Sequence, residues 1–142
     1  MSANPPRRRI TTLALTLAGA AACILGGAGT AAASASGCTY TDFPTNYVCH
    51  NVNGKGLHLD SVDIIRAKWS GSAIRDYQAL VTVQEPDGDR YEFWSPAYHK
   101  KKFGRVVITL TFDHYFDHNS KICSSFLEGG AIQDTVCNKI HK

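Results

Sequence analysis

The chain has 142 residues, with fifteen Lys and Arg against twelve Asp and Glu. Three of the fifteen, Arg7, Arg8 and Arg9, lie near the N-terminus, so from Ser36 onward the count is twelve against twelve. A neutral stretch of about 107 residues has room for one domain, and it lacks the basic excess needed to bind nucleic acid by counterion release or to adhere to an anionic membrane.

Residues 1–35 read as a signal peptide. Arg7 to Arg9 form the positive start, residues 10–25 the apolar run, and Ala33-Ser34-Ala35 a small-x-small cleavage site. The run is rich in glycine and shorter than the roughly 20 apolar residues that span a bilayer. The Arg8-Arg9 pair is a poor match to a twin-arginine signal. Lipidation at Cys23 or Cys38 is the other variant, but Ala20 and Ala35 stand where a lipoprotein signal carries leucine. Residues 36–142 are therefore expected to form a single secreted β domain, located outside the cell.

That domain holds four cysteines, Cys38, Cys49, Cys123 and Cys137. Local pairing, Cys38 with Cys49 and Cys123 with Cys137, is preferred because each closes a loop that a β-hairpin spans. A crossed pairing between the two ends is the rival, and its longer loops would stabilise more. Zinc is disfavoured, since no Cys-x-x-Cys occurs and export favours oxidation.

In chain order, residues 39–45 are polar and aromatic, with Tyr40 and Phe43, and residues 36–45 read as a frayed terminus tied down by Cys38 or as an arm that docks by strand addition. Residues 47–52 read as a strand, Asn53-Gly54-Lys55-Gly56 as a turn, and 57–59 as the start of the return. Residues 60–70 fit either a capped helix over Val62, Ile65 and Trp69 or a continued strand, and the strand neighbours favour the strand. Tyr77, Ala79, Val81 and Val83 alternate with polar residues, Pro86-Asp87-Gly88 turns, and residues 90–94 return. Residues 95–104 read as a loop, 106–112 as a strand with one apolar face, and 114–120 as a polar loop. A last hairpin is expected around Glu128-Gly129-Gly130. The sum is an all-β fold, a small antiparallel sandwich or barrel of about seven strands with two disulfides.

Four candidate sites stand out. Trp94, Tyr98, Lys100, Lys101 and Phe103 interleave aromatic and basic side chains on a loop, a pattern suited to gripping a partner. The plainer reading has Trp94 and Phe103 closing the core while the lysines stay in water. Asp113, His114, Asp117 and His118 could ligate a metal, but their spacing on a loop carries little geometry and the glutamate of His-Glu-x-x-His is absent. No Gly-x-Ser-x-Gly occurs, and no spacing pairs the carboxylates Asp60, Asp63, Glu85, Glu92 or Glu128 for hydrolysis. The fourth is the aromatic N-terminal segment itself. No residue is assigned a catalytic or metal-binding role, and no cofactor is expected.

The plan of leader, size, disulfides and short strands is similar to that of small exported proteins of actinobacteria, some of which inhibit proteases or amylases. The inhibitor motifs are absent. The frame from Cys38 to Cys137, the Asn53-Gly54-Lys55-Gly56-Leu57 turn and the lack of catalytic signatures resemble the small adaptor subunit of umbrella toxin particles. That resemblance implies a non-enzymatic secreted protein in an antibacterial toxin complex, bridging a lectin-like subunit to a stalked toxin. Its expected partners are other secreted proteins, with no nucleic acid and no membrane after signal removal. It carries over no site residue. A secreted hydrolase inhibitor, acting through residues 124–136, and a small metal-binding secreted enzyme are the alternatives.

Overall fold

A computed structural model describes residues 34–42 and 45–141, and among these there are strands and no helix. The leader reading falls outside the described residues except for Ser34 and Ala35, and Cys23 falls outside them too. The strands are β1 (Ala35–Asp42), β2 (Asn46–Lys55), β3 (His58–Lys68), β4 (Ile74–Gln84), β5 (Arg90–Trp94), β6 (Tyr98–Lys102), β7 (Gly104–Tyr115), β8 (Lys121–Glu128) and β9 (Ala131–Lys139). One antiparallel sheet runs β1-β2-β3-β7 and the other runs β5-β4-β8-β9, with β6 also pairing β4.

The two sheets share one core. Val48 and Val52 of β2, Leu59, Val62 and Ile64 of β3, and Val106 and Ile108 of β7 face Tyr77, Ala79, Val81 and Val83 of β4 and Ile122 and Phe126 of β8. Every second residue of β4 from Tyr77 to Val83 is buried, as the pleat demands of a strand with one face on the core. Full burial of one such side chain contributes about 1.5–3 kcal/mol.

The expected sandwich is present, and both disulfides are the local ones. Cys38 lies directly opposite Cys49 on β1 and β2, and Cys123 directly opposite Cys137 on β8 and β9. Two such bridges suit an oxidising compartment. The last hairpin turns at Gly129 and Gly130, whose φ of 59° and 79° fit the two-residue turn that matches strand twist.

Two strands were not expected. Residues 98–102 lie in the stretch read as a loop, yet form β6 against residues 74–77 of β4. The link before it is pinned: Ser95 N–H donates to the Ala79 carbonyl at 2.9 Å, and Gln78 Nε2 donates to the Ser95 carbonyl at 2.8 Å. This explains how β5 and β6 both lie along one edge of β4. The polar segment after Cys38 is likewise no free arm, because residues 35–42 pair with β2 as β1.

β1 also approaches β9 across the sandwich. A Cβ on Gly37 would sit 2.9 Å from Val136 Cγ1, so glycine is what lets these strands meet. Beside this seam His50 of β2 is fully buried. Its Nδ1 is 2.8 Å from Ser124 Oγ on β8, and Asn138 Nδ2 on β9 donates to its Nε2 at 2.9 Å. One side of the molecule is thus stapled twice and cross-bonded by polar groups.

Candidate functional site

The five residues read as a contact surface do not form one patch. Trp94 ends β5 opposite Leu80, on the outer face of its sheet, and is 49% exposed. Tyr98 turns inward, stacking on Tyr77 with ring centroids 5.3 Å apart, and Tyr77 stacks in turn on Phe126 at 5.9 Å. It anchors β6 and is half-buried. Lys100, Lys101 and Lys102 are exposed, and Phe103 is 62% exposed with Lys101 Nζ 4.9 Å from its ring centroid. Trp94 pairs at Leu80 and Lys102 at Ile74, six residues of β4 apart, or about 20 Å of strand. Neither Trp94 nor Phe103 closes the core.

At the same chain crossing, across from Gly104, stands a residue not singled out as a site. Trp69, 60% exposed, follows β3, and its Cζ3 lies 3.4 Å from where a Cβ on Gly104 would be. Its backbone N–H donates to the Thr45 carbonyl at 2.8 Å. The chain changes sheets twice here, after β3 and at Phe103, and each crossing leaves an aromatic ring outside. The signal available in sequence was the tryptophan before Ser70-Gly71-Ser72, an apolar side chain placed at a break.

Basic residues lie on the strands beside these two rings. Arg75 pairs directly opposite Lys101 on β4 and β6, and Arg105 stands opposite Ala67. Like charges directly across a ladder are unfavourable, so this end gains from an anionic surface placed against it. The acidic groups nearby are already engaged: Glu128 Oε1 accepts from Lys68 Nζ at 3.2 Å, and Asp76 Oδ1 lies 3.3 Å from His99 Nδ1. Beneath the surface Arg66 is 3% exposed, and its Nη1 donates to the Tyr47 and Ala67 carbonyls at 3.3 Å each. Burial lowers its pKa, with Glu128 and Asp134 pulling the other way.

The metal candidates diverge. Asp113 Oδ1 lies 2.9 Å from His58 Nε2, while the His114 ring packs against Phe116 at 4.6 Å and His118 sits 5.7 Å from His141. Asp117 joins Glu85 and Asp87, three carboxylates with oxygens within 4.8 Å. Glu85 there accepts from the Asp117 N–H at 3.2 Å and from the Tyr91 hydroxyl at 3.4 Å. The expected polar turn with two buried aromatics is half right: Phe116 is buried, whereas Tyr115 is 72% exposed.

The pairing of His50 with Ser124 has the atoms of a base and a nucleophile, but not their arrangement. The Asn138 amide donates to Nε2, so the network assigns the ring proton to Nδ1. Nδ1–H then donates to Ser124 Oγ, and the serine is not being deprotonated. Burial pushes the His50 pKa down to about 4. Both side chains are 0% exposed, and neither lines the clefts at Ser34–Asp63 or Asp76–Gly130. Residues 124–136, considered as an inhibitory loop, are mostly strand, with residues 124–127 buried.

Comparison of the chain with known protein families, with curated proteins and with solved structures finds no match.

Proposed function

We propose that this is a non-enzymatic secreted binding protein, an adaptor subunit in an extracellular complex of the antibacterial toxin kind that the resemblance implies. It holds a partner protein through the end of the sandwich that carries Trp69, Phe103, Lys100 and Lys101. The observation that carries this reading is the pair of rings, 60% and 62% exposed, beside the like charges of Arg75 and Lys101 set opposite one another. Aromatic side chains supply much of the energy of protein interfaces when a partner pocket takes them, and the surrounding lysines steer an acidic partner surface. The matching site on the partner is an apolar pocket with an acidic rim.

Affinity capture from culture supernatant tests this. The intact protein is expected to bring down another secreted protein in fixed stoichiometry. Phe103→Ser combined with Lys101→Glu is expected to lose it. Recovery of the intact protein alone, or equal recovery with the variant, counts against the reading.

A further inference from the structure

β7 is the outermost strand of its sheet. β3 pairs one of its edges, and among the described residues no strand pairs the other. Natural proteins blunt such an edge with lysine, proline, a short strand or a bulge. β7 has none of the first three: it is 12 residues long, contains no Lys or Pro, and is uncharged from Val106 through Phe112. Its side chains alternate from Arg105 to Asp113, His114 and Tyr115 both being exposed, and its ladder with β3 shifts register across Phe112 and Asp113. Val106 and Ile108 are buried, while Arg105, Val107, Thr109, Thr111, Asp113 and Tyr115 are exposed. Val107 is 49% exposed and Tyr115 72%. Free N–H and C=O groups on a long apolar edge gain most from another strand.

We propose that β7 pairs antiparallel with β7 of a second copy of this chain, about a two-fold axis at Thr109. The strand's own charges select this register. Arg105 and Asp113 are its only Lys, Arg, Asp or Glu residues, and each lies four positions from Thr109. The axis therefore sets Arg105 opposite Asp113 of the second copy, and symmetry repeats the pair. On the same face Val107 meets Thr111 and Thr109 meets its own copy. On the inner face Val106 meets Phe112 and Ile108 meets Leu110. Each opposed pair is oppositely charged, apolar or β-branched, the combinations that stabilise neighbouring strands. Moving the axis to Ile108 or Leu110 sets Arg105 against Thr111 or Tyr115 and breaks both ion pairs. His58 Nε2 holds Asp113 Oδ1 at 2.9 Å while the carboxylate side chain stays 99% exposed, so the acid is oriented and accessible.

This pairing does not rest on the partner-binding reading, and its test involves no other protein. Sedimentation velocity over a wide concentration range should show a monomer–dimer equilibrium. Arg105→Asp alone and Asp113→Arg alone should each weaken the dimer about tenfold or more, and the double exchange should restore it. Val107→Lys, at an exposed position, should weaken it as well, with circular dichroism unchanged. A monomer at every concentration overturns the proposal. So does a dimer of equal strength in Arg105→Asp and Val107→Lys, which would place the interface on another face.

Discussion

The two long sides of the sandwich are built on opposite plans. On one side β1 and β2 meet β8 and β9, each pair carrying a disulfide. The His50–Ser124–Asn138 network crosses between the sheets there, and Gly37 lets β1 press against Val136. On the other side no strand among the described residues pairs the outer edge of β7, and β5 and β6 are strands of five residues each on one edge of β4. Of the exposed rings, Trp69, Trp94, Phe103 and Tyr115 belong to segments outside the stapled strands, and Tyr40, 53% exposed, to the stapled β1. On the proposed function this contrast is a division of labour: covalent and buried polar links tie one side together, while the other exposes the apolar and charged groups proposed to meet a partner.

The comparison breaks most readily at His50. His50→Ala should cost about 3–5 kcal/mol in a denaturant titration, because it opens a cavity and strands the hydroxyl of Ser124 and the amide of Asn138. A loss below about 1 kcal/mol would mean the stapled side does not depend on its polar link.

Acid should act on the same group. The His50 pKa falls from 6.5 to about 4 on folding, so the neutral ring is the folded form. Its contribution is complete above pH 6.5 and is lost as pH falls from 6.5 toward 4, by about 3 kcal/mol. His58 works in the opposite sense, because Asp113 and then Asp60 raise its pKa despite some desolvation. Its contribution is present below 6.5 and fades as pH rises through the raised value. Urea midpoints measured from pH 7.5 to pH 4 should therefore drop for the intact protein and flatten in His50→Gln.

Opening one staple ranks next. Replacing Cys123 and Cys137 with serine releases a loop spanning 14 positions, at a cost of about 3 kcal/mol in the chain-entropy model. Gly37→Val is smaller, about 1–3 kcal/mol, since its Cβ alone would crowd Val136 Cγ1 at 2.9 Å. The smallest effect belongs to the open side. Phe103→Ser should change stability by less than about 0.5 kcal/mol, as expected for an exposed ring.

Much of this was legible in the residues. The alternation of Tyr77, Ala79, Val81 and Val83 marks a half-buried strand, the Asp87-Gly88 and Gly129-Gly130 pairs mark hairpins, and local cysteine spacing matches both bridges. β6 was illegible because Tyr98-His99-Lys100-Lys101-Lys102 has no apolar alternation, and it is the partner strand that makes it a strand. β1 was hidden for the same reason. Sheet order rests on non-local pairing that no short window encodes. His50 did leave a trace, since it stands two residues from both Val48 and Val52 and so shares their buried face. The proposed contact surface was only partly readable: Phe103 and its lysines were visible, while Trp69 stands beside Gly104 through a chain crossing and Trp94 departs along β4.

The division of labour is tested most directly by measuring partner capture and stability together in Gly37→Val and Phe103→Ser. The account predicts that Gly37→Val lowers stability yet, while folded, still captures the partner from culture supernatant. It predicts that Phe103→Ser keeps its stability and loses the partner. Full capture by Phe103→Ser would contradict it.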